Sequence, residues 1–506
     1  MPLQSVLVIG GGLAGMSSAV ALAEAGFRVQ LLEKRPHLGG RATSYTLPDG
    51  SEVDNCQHVT LGCCTNLADF YRRVGAAEKI RFYDRLYFVD KQGKRSTIEA
   101  SWLPPPLHMA PSFVKFGALR LADKRAIASA LLAIARSGGK PANIDGVSML
   151  DWLHRMKQTP GAIERYWRVV LVSALDEELA RMDARYGIEV FWKAFLGNHC
   201  GYRVGIPTVP LADLYEGGRQ AVENQGGEVK LRCSVREIRI EGDRFAGVVL
   251  DGGAMLQADA CIVAVPQEAL LNLLPKEMGE AGEPLEGASH LENSPITSAH
   301  FWFDRPVMTE PFLTLLDHTT QWIFNKTVLM NGPNQRNGNG PGKEAGGRGQ
   351  YLQLVISASY DLVERSRQEI IDMCRRELAE VLPATKNAVV VKATVIKEVN
   401  ATFSPVPGAD RWRPKQNIGL PNFFVAGDWT STGWPATMEG AVRSGYLAAE
   451  ALSAAAGRSD KFLRPDLPFE GLCRIWADKA AKNARANDPY GPGDVRSAIK
   501  KEGNDE

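Results

Sequence analysis

A chain of 506 residues is too long for one typical core, which implies two or more domains. A net charge of +1 and a hydrophobic content of 44% fit a globular protein and exclude the basic balance of a nucleic-acid binder. No run of about 18 uncharged apolar residues occurs, so no membrane-spanning helix is expected. The eight cysteines are scattered without a CxxC pair, which argues for reduced structural thiols and against a zinc or iron–sulfur site.

Val6 to Ile9 is a short apolar run of strand type. It begins too early to leave room for a signal peptide, which argues for the cytoplasm. Gly10, Gly12 and Gly15 follow in GxGxxG spacing, then an alanine-rich helical segment, Ala14 to Ala25, which Gly26 is placed to end. A β-rich run, Phe27 to Leu32, finishes in Glu33, at about the 20-residue distance of a ribose-binding acid. Gly10 allows the tight turn, Gly12 lets a pyrophosphate approach the backbone, and Gly15 lets helix and strand pack closely. The helix N-terminus, with Leu13 and Ala14, offers free N–H groups to the phosphates. Glu33, flanked by Lys34 and Arg35, suits an unphosphorylated ribose. The unit predicts a dinucleotide site.

Gly39-Gly40-Arg41-Ala42 is a second glycine turn that plain nicotinamide-binding domains do not need. With it, the chain resembles the flavin monoamine oxidase and phytoene desaturase superfamily, whose GG-R-[AST] turn wraps the FAD pyrophosphate and ribityl chain. The resemblance implies FAD as cofactor and positive charge from Arg41. Next comes Asp54-Asn55-Cys56-Gln57-His58, followed by Leu61-Gly62-Cys63. The superfamily often has D-x-G here, reaching the flavin ring, and Cys56 replaces that glycine. The wording D-N-x-Q-H with L-G-C looks most like the squalene-associated branch, the hydroxysqualene dehydroxylases of hopanoid synthesis. His58 is the candidate proton donor in that chemistry, with Asn55 and Gln57 positioning it or the flavin.

From Leu103 to Pro111 the chain is proline-rich and apolar, and it leads to Phe113, Val114, Phe116, Leu119 and Leu121 interleaved with Lys115, Arg120, Lys124 and Arg125. Such a mixture suits either a membrane interface or an amphipathic surface of the domain core. Asp151-Trp152-Leu153, Tyr166-Trp167 and Val169 to Ala174 read as apolar helices lining a greasy pocket, and Leu211 to Asn224 as another helix. Residues 228–265 read as β structure, in which the resemblance puts Val235 just after the backbone that meets the adenine. Ala299 to Phe303 and Tyr351 to Ile356 alternate as strands of an antiparallel sheet. Asn331 to Gly349 reads as a flexible loop; its Gly338-Asn339-Gly340 has no flanking strand and helix and is rejected as a second dinucleotide site. Asn422 to Gly427-Asp428 is a strand entering a turn, and Met438-Glu439-Gly440-Ala441 opens a helix running to Leu452. This resembles the superfamily's closing FAD motif, which would set Asp428 at the ribityl–phosphate region and residues 438–441 at the flavin pyrimidine edge. Residues beyond about 456 show no site.

The expected fold is α/β: a Rossmann-like FAD domain with a parallel sheet (1–75, 206–270 and 415–455), a mixed α+β substrate domain (76–205 and 271–414), and a C-terminal extension (456–506). The squalene branch implies reduction of hydroxysqualene, a hydrophobic isoprenoid, by reduced FAD. No second nucleotide motif appears, so an external electron donor is expected, along with a peripheral membrane contact and no nucleic acid. A carotenoid-type desaturase, an amine oxidase and a non-enzymatic prenyl-binding escort protein stand as alternatives.

Overall fold

The computed structural model describes residues 3–275, 283–330 and 349–486. Its two main sheets are each assembled from distant parts of the chain. Ser5–Ile9 forms the centre of a five-stranded parallel sheet, paired on one side with Arg28–Leu32 and then Glu228–Lys230. Ala260–Val263 and Phe423–Val425 extend it on the other. All five strands are short, and all but the edge strand Glu228–Lys230 are mostly apolar, as strands covered on both faces must be. The helices Leu13–Glu24, Leu211–Glu223 and Met438–Ala455 cover them, the first with eleven of its twelve residues buried. Gly26 ends that first helix at φ +85°, and the Gly26 and Phe27 amides donate back to Ala23 and Leu22.

The second sheet has seven strands in the order Val390–Phe403, Asn293–Phe303, Gln350–Ile356, Trp322–Asn325, Phe312–Leu315, Arg85–Val89, Arg95–Glu99. Neighbours are antiparallel except Phe312–Leu315 beside Arg85–Val89. The strands expected around Ala299 and Tyr351 are adjacent, Ala299 opposite Leu354. One side of this sheet meets a helical layer made of Leu121–Arg136, Met149–Arg155, Val169–Leu175 and Ala184–Val190. Two six-residue π-helical stretches, Ile163–Arg168 and Phe191–Leu196, interrupt that layer. Such turns widen a helix and are frequent where one lines a site.

Of the two readings open for this segment, Phe116 and Leu119 follow the second and are core residues: Phe116 packs edge-on against Phe88 with ring centres 5.1 Å apart. Only Val114 and Leu121 of that apolar set are exposed. The glycine-rich loop expected at Asn331 to Gly349, save Gly349, and residues 487–506 of the C-terminal extension lie outside the described residues. Among the described residues no helix is long and apolar enough to cross a membrane.

Candidate active site

The two N-terminal glycine turns lie back to back. Gly12 bridges Gly39, and the Gly39 amide donates to the Gly11 carbonyl at 2.9 Å. A Cβ on Gly40, whose φ is +62°, would stand 2.9 Å from the Gly12 Cα. The helix that begins at Leu13 has no side-chain cap and no acid in its first turn, so the amides around Leu13, Ala14 and Gly15 remain donors for an anion. Glu33 lies at the neighbouring strand end, where its carboxylate accepts from the Gly11 amide at 2.6 Å and the Arg35 amide at 2.7 Å. Arg35 turns back to donate to the Gly40 carbonyl at 2.7 Å, tying the two turns together. Lys34 is the residue between these anchors, and Ala42 closes the second turn by donating to the Gly39 carbonyl. Cys233 and Arg232 run alongside, their amides on the Glu33 and Arg35 carbonyls, which brings the strand starting at Val235 to this end of the cradle.

The C-terminal motif meets the same place from the far side of the sheet. Arg41 forms an ion pair with Asp428 and donates to the Ala401 carbonyl at 3.0 Å. The Gly427 amide donates to the Ser444 hydroxyl at 2.8 Å, holding the turn against the helix Met438–Ala455. The Thr437 hydroxyl caps that helix by accepting from the Gly440 amide at 3.1 Å. The next amide, Ala441, already bonds the Thr437 carbonyl, which leaves the Met438 and Glu439 amides at the helix tip.

One expected cofactor contact has another role. The Glu439 carboxylate accepts from the Leu67 amide at 2.7 Å and the Asn66 side chain at 2.9 Å. It thereby caps the helix Thr65–Arg73, so only the Glu439 main chain is free for a ligand. Burial pushes its pKa up despite these donors.

The model of the flavin containing amine oxidoreductase family matches residues 13–453. The chain belongs to that family. FAD is its cofactor, and the residues fit it: two abutting glycine turns, an uncapped helix N-terminus and an acid held at the strand end. Similar curated proteins include the 15-cis-phytoene desaturase of Solanum lycopersicum, 27% identical over 491 residues, covering 90% of this chain and 80% of that one. The zeta-carotene desaturase of Synechocystis sp. is 25% identical over 479 residues, covering 89% and 97%. Among solved structures, an oxidoreductase from Methanosarcina mazei aligns with a TM-score of 0.68 at 18% identity, over 87% of this chain and 99% of that one. A putrescine oxidase aligns at 0.65 with 15% identity, over 89% and 99%. At these identities the solved structures establish the shared fold.

Beyond the FAD cradle, two adjoining cavities share Leu86, Phe88, Val169, Val170 and Phe195. The inner one touches Thr437, Met438 and Gln57. The outer one, about 320 Å³, is lined by hydrocarbon apart from Arg165 and Tyr166 and runs between residues 106–113 and the helix Leu121–Arg136. Polar residues are concentrated in the inner cavity, among them Gln57, Ser173, Thr314 and Ser357.

Of the three catalytic candidates only Gln57 lines this cavity. Asn55 is engaged elsewhere, donating to the Arg41 carbonyl at 2.7 Å and to Glu398 at 3.2 Å, so it positions the second glycine turn. His58 is half-buried beside Gln57, with Nδ1 3.1 Å from the Cys56 carbonyl. A carbonyl only accepts, so Nδ1 carries the hydrogen and Nε2 is left as an acceptor. Burial lowers the His58 pKa below 6.5, outweighing the opposing pull of that carbonyl, Asp54 and Glu398. To donate a proton, His58 must first take one up at Nε2.

Lys326 and Asp54, absent from the expected catalytic set, form a fully buried ion pair here. The fully buried Lys326 ammonium donates to Asp54 Oδ2 and to Gln57 Oε1, each at 2.8 Å. Burial opposes ionisation of Asp54, but Lys326, the Leu211 amide and the Ser44 hydroxyl together hold its carboxyl below the usual range. No sequence signal pointed to Lys326, which follows an unremarkable strand, Trp322–Asn325.

Proposed function

We propose that this flavoenzyme reduces hydroxysqualene to squalene, the allylic hydroxyl leaving as water. The observation that carries the reading is the distribution of polarity along the two cavities. The outer one suits a long isoprenoid arm, while the inner one collects amide and hydroxyl groups and the Lys193–Glu189 ion pair beside the FAD cradle, where a hydroxyl-bearing carbon would react. FAD, bound and reduced, would supply the hydride. In balance, the alcohol takes up one proton and one hydride and yields the hydrocarbon and water, and an external reductant recharges the flavin. Gln57, fixed by Lys326, holds the hydroxyl, and the apolar walls orient the chain and exclude water. His58, the neighbour of Gln57, carries the proton.

Anaerobic mixing of the reduced flavoprotein with detergent-dispersed hydroxysqualene tests this. Flavin reoxidation with stoichiometric squalene is the expected result. If the reduced flavin persists, while oxidised enzyme is reduced on adding phytoene, the second reading replaces it: a carotenoid-type desaturase, favoured by the likeness to plant and cyanobacterial desaturases.

The proton assignment predicts a pH profile. Because the folded-state pKa of His58 lies below 6.5, the donor form grows as pH falls through and below that value. Single-turnover reoxidation should slow about tenfold per pH unit above that pKa. His58→Gln should flatten the profile; an unchanged slope would place the proton elsewhere.

A further inference from the structure

The outer cavity reaches the surface beside Leu107 and Leu132, which line it and are themselves exposed. Exposed apolar side chains gather around that mouth. Trp102, on the same loop as Leu107, is 88% exposed. Lys124 reaches back to the Val114 carbonyl, which brings exposed Val114 to the start of the helix carrying Leu121 and Leu132. Residues 121, 125, 128 and 132 follow one another at helical spacing, so an exposed stripe runs along this helix to the rim.

The C-terminal helix Gly471–Ala486 lies beside this mouth. The Leu472 amide donates to the Pro105 carbonyl at 3.2 Å, and a Cβ on Gly138 would meet Ala480 at 2.7 Å. The helix thus spans from the proline loop to the end of Leu121–Arg136. It exposes Leu472 and Ile475, with Lys479 and Lys482 continuing the same face.

Charge is arranged to match. The short helix Ala110–Lys115 turns Ala110 and Phe113 to the cavity. Its other side, Pro111, Ser112 and Lys115, lines a polar pocket with Lys94, Arg95 and Ser96. Arg95 pairs with Glu310 and Glu99 with Arg85, whereas neither Lys94 nor Lys115 is ion-paired among the described residues. The buried Ser96 hydroxyl has no hydrogen-bond partner.

We propose that this face docks on an anionic phospholipid bilayer, the apolar rim entering the acyl region and the lysines meeting headgroup phosphates, so that the cavity mouth opens into the lipid. Apolar side chains flanked by cations bind such surfaces through area and charge together. The proposal takes from the hydroxysqualene reading only the need for a lipid-borne substrate.

Flotation of the full-length, FAD-loaded protein with vesicles free of isoprenoid tests it. Strong binding to phosphatidylglycerol-containing vesicles, weaker binding to phosphatidylcholine alone and loss with salt are expected. The double variant Trp102→Ser, Ile475→Ser should lower partitioning at least about tenfold. Lys94→Glu with Lys115→Glu should remove the preference for anionic lipid, about fivefold per charge. Val389→Ser with Val391→Ser, exposed but remote in sequence from this rim, should bind as the parent does. A parent protein that ignores anionic vesicles, or a Trp102/Ile475 variant that floats unchanged, would overturn docking. Turnover of detergent-dispersed substrate by the same variants keeps the two readings apart: retained turnover with lost flotation supports docking, and absent hydroxysqualene turnover in the parent counts against the reaction alone.

Discussion

Lys326→Met is expected to lower stability by about 3–5 kcal/mol, the usual cost of removing one partner from a buried ion pair. The ammonium and the Asp54 carboxylate are both shielded from water, so the variant strands a charge among Leu211, Ser44 and Gln57 with nothing cationic to balance it. Adding Asp54→Asn should restore much of the loss, and urea denaturation of the single and double variants measures the coupling. The pH dependence has a defined sign. In the parent protein the Asp54 pKa is depressed below 3.8, so its contribution is complete above that value and disappears as pH falls through the folded-state pKa. In Lys326→Met the stranded carboxyl prefers its neutral form, so the deficit should shrink as pH is lowered. A deficit independent of pH, with no rescue by Asp54→Asn, would show that the pair is not coupled.

Gly15→Ala is expected to yield protein without FAD. The added Cβ would lie 1.8 Å from the Gly10 carbonyl oxygen, a backbone atom that no rotamer change can move. Gly10 is itself fixed: its φ is +105°, and its Cβ position is 2.7 Å from the Ala264 carbonyl. The helix must therefore move off the strand, withdrawing the N-terminal amides from the pyrophosphate and costing about 1–3 kcal/mol in packing. Gly26→Ala is the comparison. That glycine also has a positive φ, +85°, but nothing lies within 4 Å of its Cβ position. It should cost about 1–2 kcal/mol and leave the bound flavin intact. Flavin absorbance of the purified proteins and their melting temperatures separate the two effects. Equal FAD content in both would sink the close-packing account.

The FAD cradle was legible because its parts are local. A glycine that must turn, an amide row opening a helix and an acid at the next strand end are consequences of contiguous residues, and Gly10, Gly12, Gly15 and Glu33 come together within one strand–helix–strand unit. The apolar helix around Tyr166 and Val169 was readable as a pocket wall for the same reason. Side-chain commitments were not. Glu439 sits inside a strong motif, yet its carboxylate caps a helix 372 residues earlier in the chain, at Leu67. Asn55 was expected at the chemistry and instead ties down the Arg41 turn.

What the amino-acid sequence determined by itself was the cofactor cradle and the α/β class, because backbone geometry and hydrophobic period act over a few residues. Tertiary structure alone decided which charges and apolar faces found partners. Lys326 meets Asp54 across 272 residues, and Phe116 is core while Val114 is surface. The C-terminal helix packs against the proline loop at Pro105 and the end of the helix Leu121–Arg136. Each depends on desolvation and packing between segments that only the folded topology brings together.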